Sequence, residues 1–158
     1  MAKVKVSIDQ DKFDEFVKRA GIFVSKSYKR DIIADIEKGI SPVQARGFFG
    51  RGGRYKKYSK SYREQIKEGR FSEFNKRPSP PNLKLSGELL RSLQVVPDKN
   101  RIMISFNNFL ADIHNRLGAG KSKVVRRMLP TGPNETFNKR ISLNALRVLK
   151  KVAKTIFR

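Results

Sequence analysis

Asn82-Leu83-Lys84-Leu85-Ser86-Gly87-Glu88-Leu89-Leu90-Arg91-Ser92-Leu93 is the part of this chain with the plainest local physics. The Ser86 hydroxyl can cap a helix, Gly87 permits a tight entry, and Glu88 in the first turn complements the helix dipole. Leu89, Leu90 and Leu93 then fall on one apolar face, so a short buried helix is expected here.

Downstream, residues 93–96 and 101–106 read as two strands joined through Pro97-Asp98-Lys99-Asn100, a connection with turn chemistry and hence an antiparallel hairpin. Ile102, Ile104 and Phe106 should face the core, with Arg101, Met103 and Ser105 on the other side. Residues 109–117 can form a further short helix closed by Gly118-Ala119-Gly120. A basic run over 121–127 and a turn at Pro130-Thr131-Gly132-Pro133 lead to a final helix. Leu146, Leu149, Val152, Ala153 and Ile156 should form its apolar face.

Upstream, Val4, Val6 and Ile8 alternate with Lys3, Lys5 and Ser7, the period-two pattern of a strand. Asp9 is a candidate N-cap for a long helix carrying Phe13, Phe16, Val17, Ala20, Phe23, Val24, Ile32, Ile33 and Ile36 at helical spacing, continuous or broken near Gly21. Gly39 and Pro42 end it. From about 43 to 82 the chain is rich in Gly, Pro and cations, and it reads as a long arm with one short helix around Tyr58 to Ile66. The expected fold is α+β: an N-terminal strand and a central hairpin packed against a long N-terminal helix and a C-terminal helix, in one domain over 1–158.

The 158 residues include 36 Lys and Arg against 14 Asp and Glu, a formal charge of +22. Solubility needs no such surplus, so a polyanion or an acidic surface is expected nearby. Hydrophobic residues make up 38% and include 11 Phe, which argues for a real core. The absence of cysteine removes disulfides, thiolate metal sites and a thiol nucleophile. No apolar run approaches a membrane span and the first residues lack a signal-like apolar core, so a cytoplasmic site of synthesis and no membrane partner are expected.

Catalytic chemistry finds little support. Gly118-Ala119-Gly120-Lys121-Ser122 evokes a phosphate-binding loop, but the first glycine of that motif would have to stand where Asn115 does. His114 is the single histidine, and Asp112 does not share its helix face, so a structural imidazole is expected. Asp9, Asp11, Asp14 and Glu15 cluster at a helix start, where they serve the dipole. No enzyme activity, metal or cofactor is expected. Arg46, Arg51, Arg54, Lys56 and Lys57, with Lys121, Lys123, Arg126 and Arg127, are candidate contacts to phosphate or to an acidic partner. Interleaved with the first group, Phe48, Phe49, Tyr55, Tyr58 and Tyr62 suit either base stacking or a subunit interface.

The order of these elements resembles the tail-completion and head-tail joining proteins of tailed bacteriophages. The likeness rests on Ser41-Pro42-Val43, on the helix signature Leu85-Ser86-Gly87-Glu88-Leu89-Leu90-Arg91-Ser92, on the hairpin, on Ala111-Asp112-Ile113-His114, and on Arg126-Arg127-Met128-Leu129-Pro130-Thr131. It implies a structural, non-enzymatic virion protein of the neck or upper tail: a connector, tail terminator or tail-completion factor. Its implied partners are further copies of itself in a ring, a hexamer among the permitted orders, and neighbouring neck and tail proteins, with sequence-independent contact to packaged DNA. In that setting Ser86, Gly87, Leu89, Leu90, Ser92 and His114 are structural, and the 43–82 arm reaches a neighbouring subunit. The rival expectation is a basic, sequence-nonspecific nucleic-acid-binding protein.

Overall fold

A computed structural model of the chain describes residues 9–44, 53–84, 86–98 and 101–157. The expected strand over 3–8 lies outside them, as do Leu85, Lys99 and Asn100. Helix α1 (Gln10–Glu37) is continuous, started by Asp9, whose carboxylate accepts the Lys12 amide at 3.2 Å. Gly21 does not break it. A Cβ there would sit 3.5 Å from the Pro97 side chain, so the glycine marks where the hairpin approaches the helix. At the far end Gly39 has φ +73°, and the Gly39 and Ile40 amides return to the Ile36 and Asp35 carbonyls.

Strands β1 (Leu93–Asp98) and β2 (Arg101–Phe106) pair antiparallel with Leu93 opposite Phe106 and Asp98 opposite Arg101. The ladder therefore runs through Pro97 and Asp98, two residues further than the turn chemistry suggests. A two-stranded sheet has only edge strands, and a proline is tolerated there because its missing N–H can face outward. Ile104 and Phe106 are part-buried against the core while Met103 is exposed, as the alternation requires.

Helix α2 (Lys60–Lys67) is capped by Ser59, and helix α3 (Glu88–Arg91) is the short helix of the opening motif. Gly87 takes the cap position at φ +85°, while the Ser86 hydroxyl accepts the Glu88 amide at 3.4 Å. Helix α4 (Phe109–Asp112) runs into a wider turn over Ile113–Leu117 that Gly118 ends at φ +82°. Helix α5 (Glu135–Ile156), capped by Asn134, lies antiparallel on α1. Polar bonds fix that packing: Ser27 donates to Asn144 at 2.9 Å, Asn144 donates to Asp31, and the Tyr28 hydroxyl donates to the Ile141 carbonyl at 2.7 Å. Leu146, expected inward, is 53% exposed. The stripe that meets α1 runs through Phe137, Asn144 and Val152, and Leu146 lies off it.

The core gathers Ile32 and Ile36 of α1, Leu89 and Leu90 of α3, Leu93 of β1, Ala111 of α4, and Tyr55, Leu83 and Met128 from connecting segments. Met128 and Leu93 are fully enclosed. One of these residues corrects the sequence reading. Tyr55 belongs to the stretch expected to be an arm, yet it is buried, as are Tyr58 and Ile66. Residues 53–84 fold back onto the body because spaced aromatic and aliphatic side chains supply enough apolar surface to fasten a Gly- and Pro-rich chain. The Ser41 amide bonds to Gly53 O at 2.8 Å and the Tyr55 amide to Gly39 O at 2.8 Å, so residues 39–41 and 53–55 run side by side. Gln44 and Gly53 are in contact as well: a Cβ on Gly53 would fall 2.7 Å from the Gln44 carbonyl carbon.

Candidate nucleic-acid interface

The segment from Asn115 to Thr131 and the returning strand 53–56 enclose a cleft of about 590 Å³. Its walls carry Arg54, Lys56, Arg116, Arg126 and Arg127, and among the described residues no carboxylate lines it. Local bonding builds the floor. The Asn115 carboxamide oxygen accepts the Met128 and Leu129 amides at 2.8 and 3.0 Å, which ties the end of the Ile113–Leu117 turn to the Arg126–Thr131 segment. The Arg127 carbonyl accepts the Ser41 hydroxyl at 2.7 Å and the Tyr55 hydroxyl at 3.3 Å. The acceptors along this floor are thus engaged from inside the protein, and the guanidinium and ammonium groups of Arg54, Lys56 and Arg127 are left on the exposed side.

Arg126 is the organising cation. It is 6% exposed, its guanidinium stands 5.2 Å over the Tyr58 ring, and one terminal nitrogen donates to the Lys56 carbonyl at 3.3 Å. Its Nε is buried without a protein acceptor. Lys76 lies over the same ring at 5.2 Å and donates to Asn82 at 3.0 Å. His114 completes the group through its backbone: its carbonyl accepts the Arg126 amide at 2.7 Å, while its Nδ1 is buried without a partner. Three cationic side-chain types gathered around aromatic rings raise one another's cost of ionisation. Burial, reinforced by Arg126 and then Lys76, lowers the His114 pKa to about 4. Burial and Arg126 lower that of Lys76 to about 8. Burial also lowers Arg126 and raises the Tyr58 phenol.

Of the cations singled out in the sequence, Arg54, Lys56, Arg126 and Arg127 come together in this cleft. Lys57 is exposed outside it, and Lys121 and Lys123 are exposed on the turn that the Ala119–Val124 bridge closes. Arg46 and Arg51 lie outside the described residues, with Phe48 and Phe49. Tyr55 and Tyr58 are 7% and 9% exposed, so neither ring is free to stack on a base or to reach a neighbour. Tyr62 is half-buried against Tyr58 at 5.0 Å and Phe71 at 5.4 Å. Among the signature residues, Leu89 and Leu90 are core, the Ser92 hydroxyl donates to the Leu89 carbonyl at 2.8 Å, and His114 is half-buried beneath Arg126. Ser41, Asn115, Arg116 and Thr131 also line the cleft. A search for charge and aromatics passes over Ser41 and Asn115, although Ser41 stands inside, and Asn115 directly follows, a stretch that the family likeness singled out.

Among the described residues no group of three or more His, Cys, Asp or Glu side chains could hold a metal ion, and no helix is long and apolar enough to cross a membrane. No family model, curated protein or solved structure matches the chain.

Proposed function

We propose that this chain is a structural, non-enzymatic protein of a tailed-phage virion, a ring-forming connector at the head-tail junction or upper tail end. The oligomeric part of this reading is supported by the contact between Gln44 and Gly53 and by the sequence that lies between them, which holds Arg46, Phe48, Phe49 and Arg51. Aromatics with arginine are residue types that anchor interfaces. A closed ring uses heterologous contacts of this kind, one subunit's projection meeting a different patch on the next. The sequence likeness supplies the virion setting, through the signature elements that surround Met128.

The contact-making arm is accordingly 45–52, not the whole of 43–82. Light scattering on the purified chain should give a defined oligomer that persists without DNA. Excising 45–52 and joining Gln44 to Gly53 should leave a folded monomer, whereas a deletion reaching Lys57 would also remove the core residue Tyr55. An oligomer unchanged by the short excision would overturn the arm's role. A second reading, a basic sequence-nonspecific nucleic-acid-binding protein, draws on the carboxylate-free cleft; a monomer that gains mass only with DNA would favour it.

A further inference from the structure

We infer that the cleft between residues 53–56 and 115–131 is a binding site for the phosphodiester backbone of double-stranded nucleic acid. The inference rests on neither the ring nor the virion setting. Its first support is the donor-acceptor balance. The Asn115 carboxamide oxygen and the Arg127 carbonyl, both potential repellents of an anion, are occupied by internal amides and hydroxyls. The lining then offers the exposed Arg54 and Arg127 guanidinium groups and the Lys56 ammonium, and guanidinium forks match phosphate oxygens in pairs.

A second support is Arg126. More than nine-tenths of its surface is buried, it lines the cleft, and its Nε proton has no acceptor in the protein. That nitrogen is enclosed by the protein, but the positive charge it shares acts through the cleft wall, and an anion held by Arg54, Lys56 and Arg127 would be drawn to it. One lining cation already has its counter-charge, since Asp112 holds Arg116 through a 2.7 Å bond on the same helical segment, while Asp35 is paired with Arg140. Among the described residues Arg54, Lys56 and Arg127 carry no such pairing.

The third support selects the kind of polyanion. Single-strand binders present exposed aromatic platforms, and among the described residues of this lining the aromatic ring, Tyr55, is turned into the core. A wall of guanidiniums without a stacking face reads backbone, not bases.

The test is fluorescence anisotropy of the full chain with a labelled duplex of about 20 base pairs, titrated across a range of salt. Arg54→Gln with Arg127→Gln removes two exposed cleft cations; Lys150→Gln with Lys154→Gln removes the same charge from the exposed face of α5. The cleft pair should weaken binding by about tenfold or more and reduce the slope of log K against log salt by about 2, while the α5 pair costs about twofold. Equal losses would show that overall charge does the binding, and the site assignment would fall. It would fall equally if the unaltered chain did not bind the duplex.

Polyglutamate and a single strand of the same length serve as competitors. If polyglutamate displaced the duplex as well as a second duplex did, the cleft would be a protein-docking surface, and preference for the single strand would refute the backbone reading. Lys56→Gln, also exposed, repeats the measurement should the arginine pair fail to fold. Light scattering on the same variants keeps the two proposals apart, because a cleft variant that loses DNA should keep its oligomeric mass.

Discussion

Met128→Ala is the substitution that most directly probes how this fold is held. Met128 has no exposed surface and lies among Ile32, Ile36, Tyr55, Leu89, Leu90 and Leu93. Truncation removes the Cγ, Sδ and Cε atoms from that enclosure. At roughly 0.8 kcal/mol for each buried methylene-sized group, the transfer loss is about 2.4 kcal/mol. The enclosing groups belong to four separate segments bound by their own hydrogen bonds, so collapse into the void is limited, and a cavity penalty brings the total to about 3–4 kcal/mol. In a chain of this length that lowers the melting temperature by about 6–16 °C. Urea unfolding followed by circular dichroism should show the midpoint fall with an unchanged slope, the mark of lost stability without a changed unfolded state. Met128→Leu, close in volume, should cost less than about 1.5 kcal/mol. A loss below about 1 kcal/mol for Met128→Ala would refute the claim that the 126–131 segment threads the core.

Three more expectations follow from the cation cluster and its supporting turn. Because His114 is the single histidine, its ring protons can be titrated by NMR without ambiguity, and the midpoint should lie near 4; a midpoint near 6.5 would mean that the ring is neither buried nor set beside Arg126 and Lys76 as described. The folded chain therefore resists a proton that the unfolded chain accepts, so this group's contribution to stability is intact above pH 6.5 and lost as pH falls towards 4, a dependence that His114→Gln should reduce. Lys76 works at the other end of the scale: its lowered pKa penalises the folded state below about 8, and stability should rise as pH climbs from there towards the ordinary lysine range, a rise that Lys76→Met should flatten in urea titrations. Gly118→Ala would drive a Cβ to 2.1 Å from the Lys123 carbonyl oxygen at a φ of +82°, so it should cost more than about 1–3 kcal/mol and be visible as loss of the Ala119–Val124 pairing by amide exchange.

The parts of the fold that were legible in the sequence are those with a period. Apolar residues three and four apart give α1 and α5, and alternation gives the outward Met103 and inward Ile104 and Phe106. The misplacement of Leu146 shows the limit of the method. A helix with apolar residues on more than one side does not state which side meets its neighbour, and the polar bonds from Ser27 and Tyr28 settle that choice. The return of residues 53–84 was not legible, because Tyr55, Tyr58, Ile66 and Leu83 are isolated side chains with no period among glycines, prolines and cations. The cleft was half legible. Charge pointed to Arg54, Lys56, Arg126 and Arg127, but only the three-dimensional course brings them together, turns Arg126 inward under Tyr58, and leaves Lys121 and Lys123 outside.

The contact between Gln44 and Gly53 has a consequence for how such a protein can change. Closing a chain is costly when its ends must be brought together, and here the pairing of residues 39–41 with 53–55 has already done so. Lengthening the stretch between them adds only a slowly growing penalty, about 0.6 kcal/mol for each doubling. Its length and chemistry can therefore drift, or be rewritten with an affinity handle or a fluorophore, while Met128 and its neighbours are untouched. A subunit built in this way can take a new partner without learning to fold again.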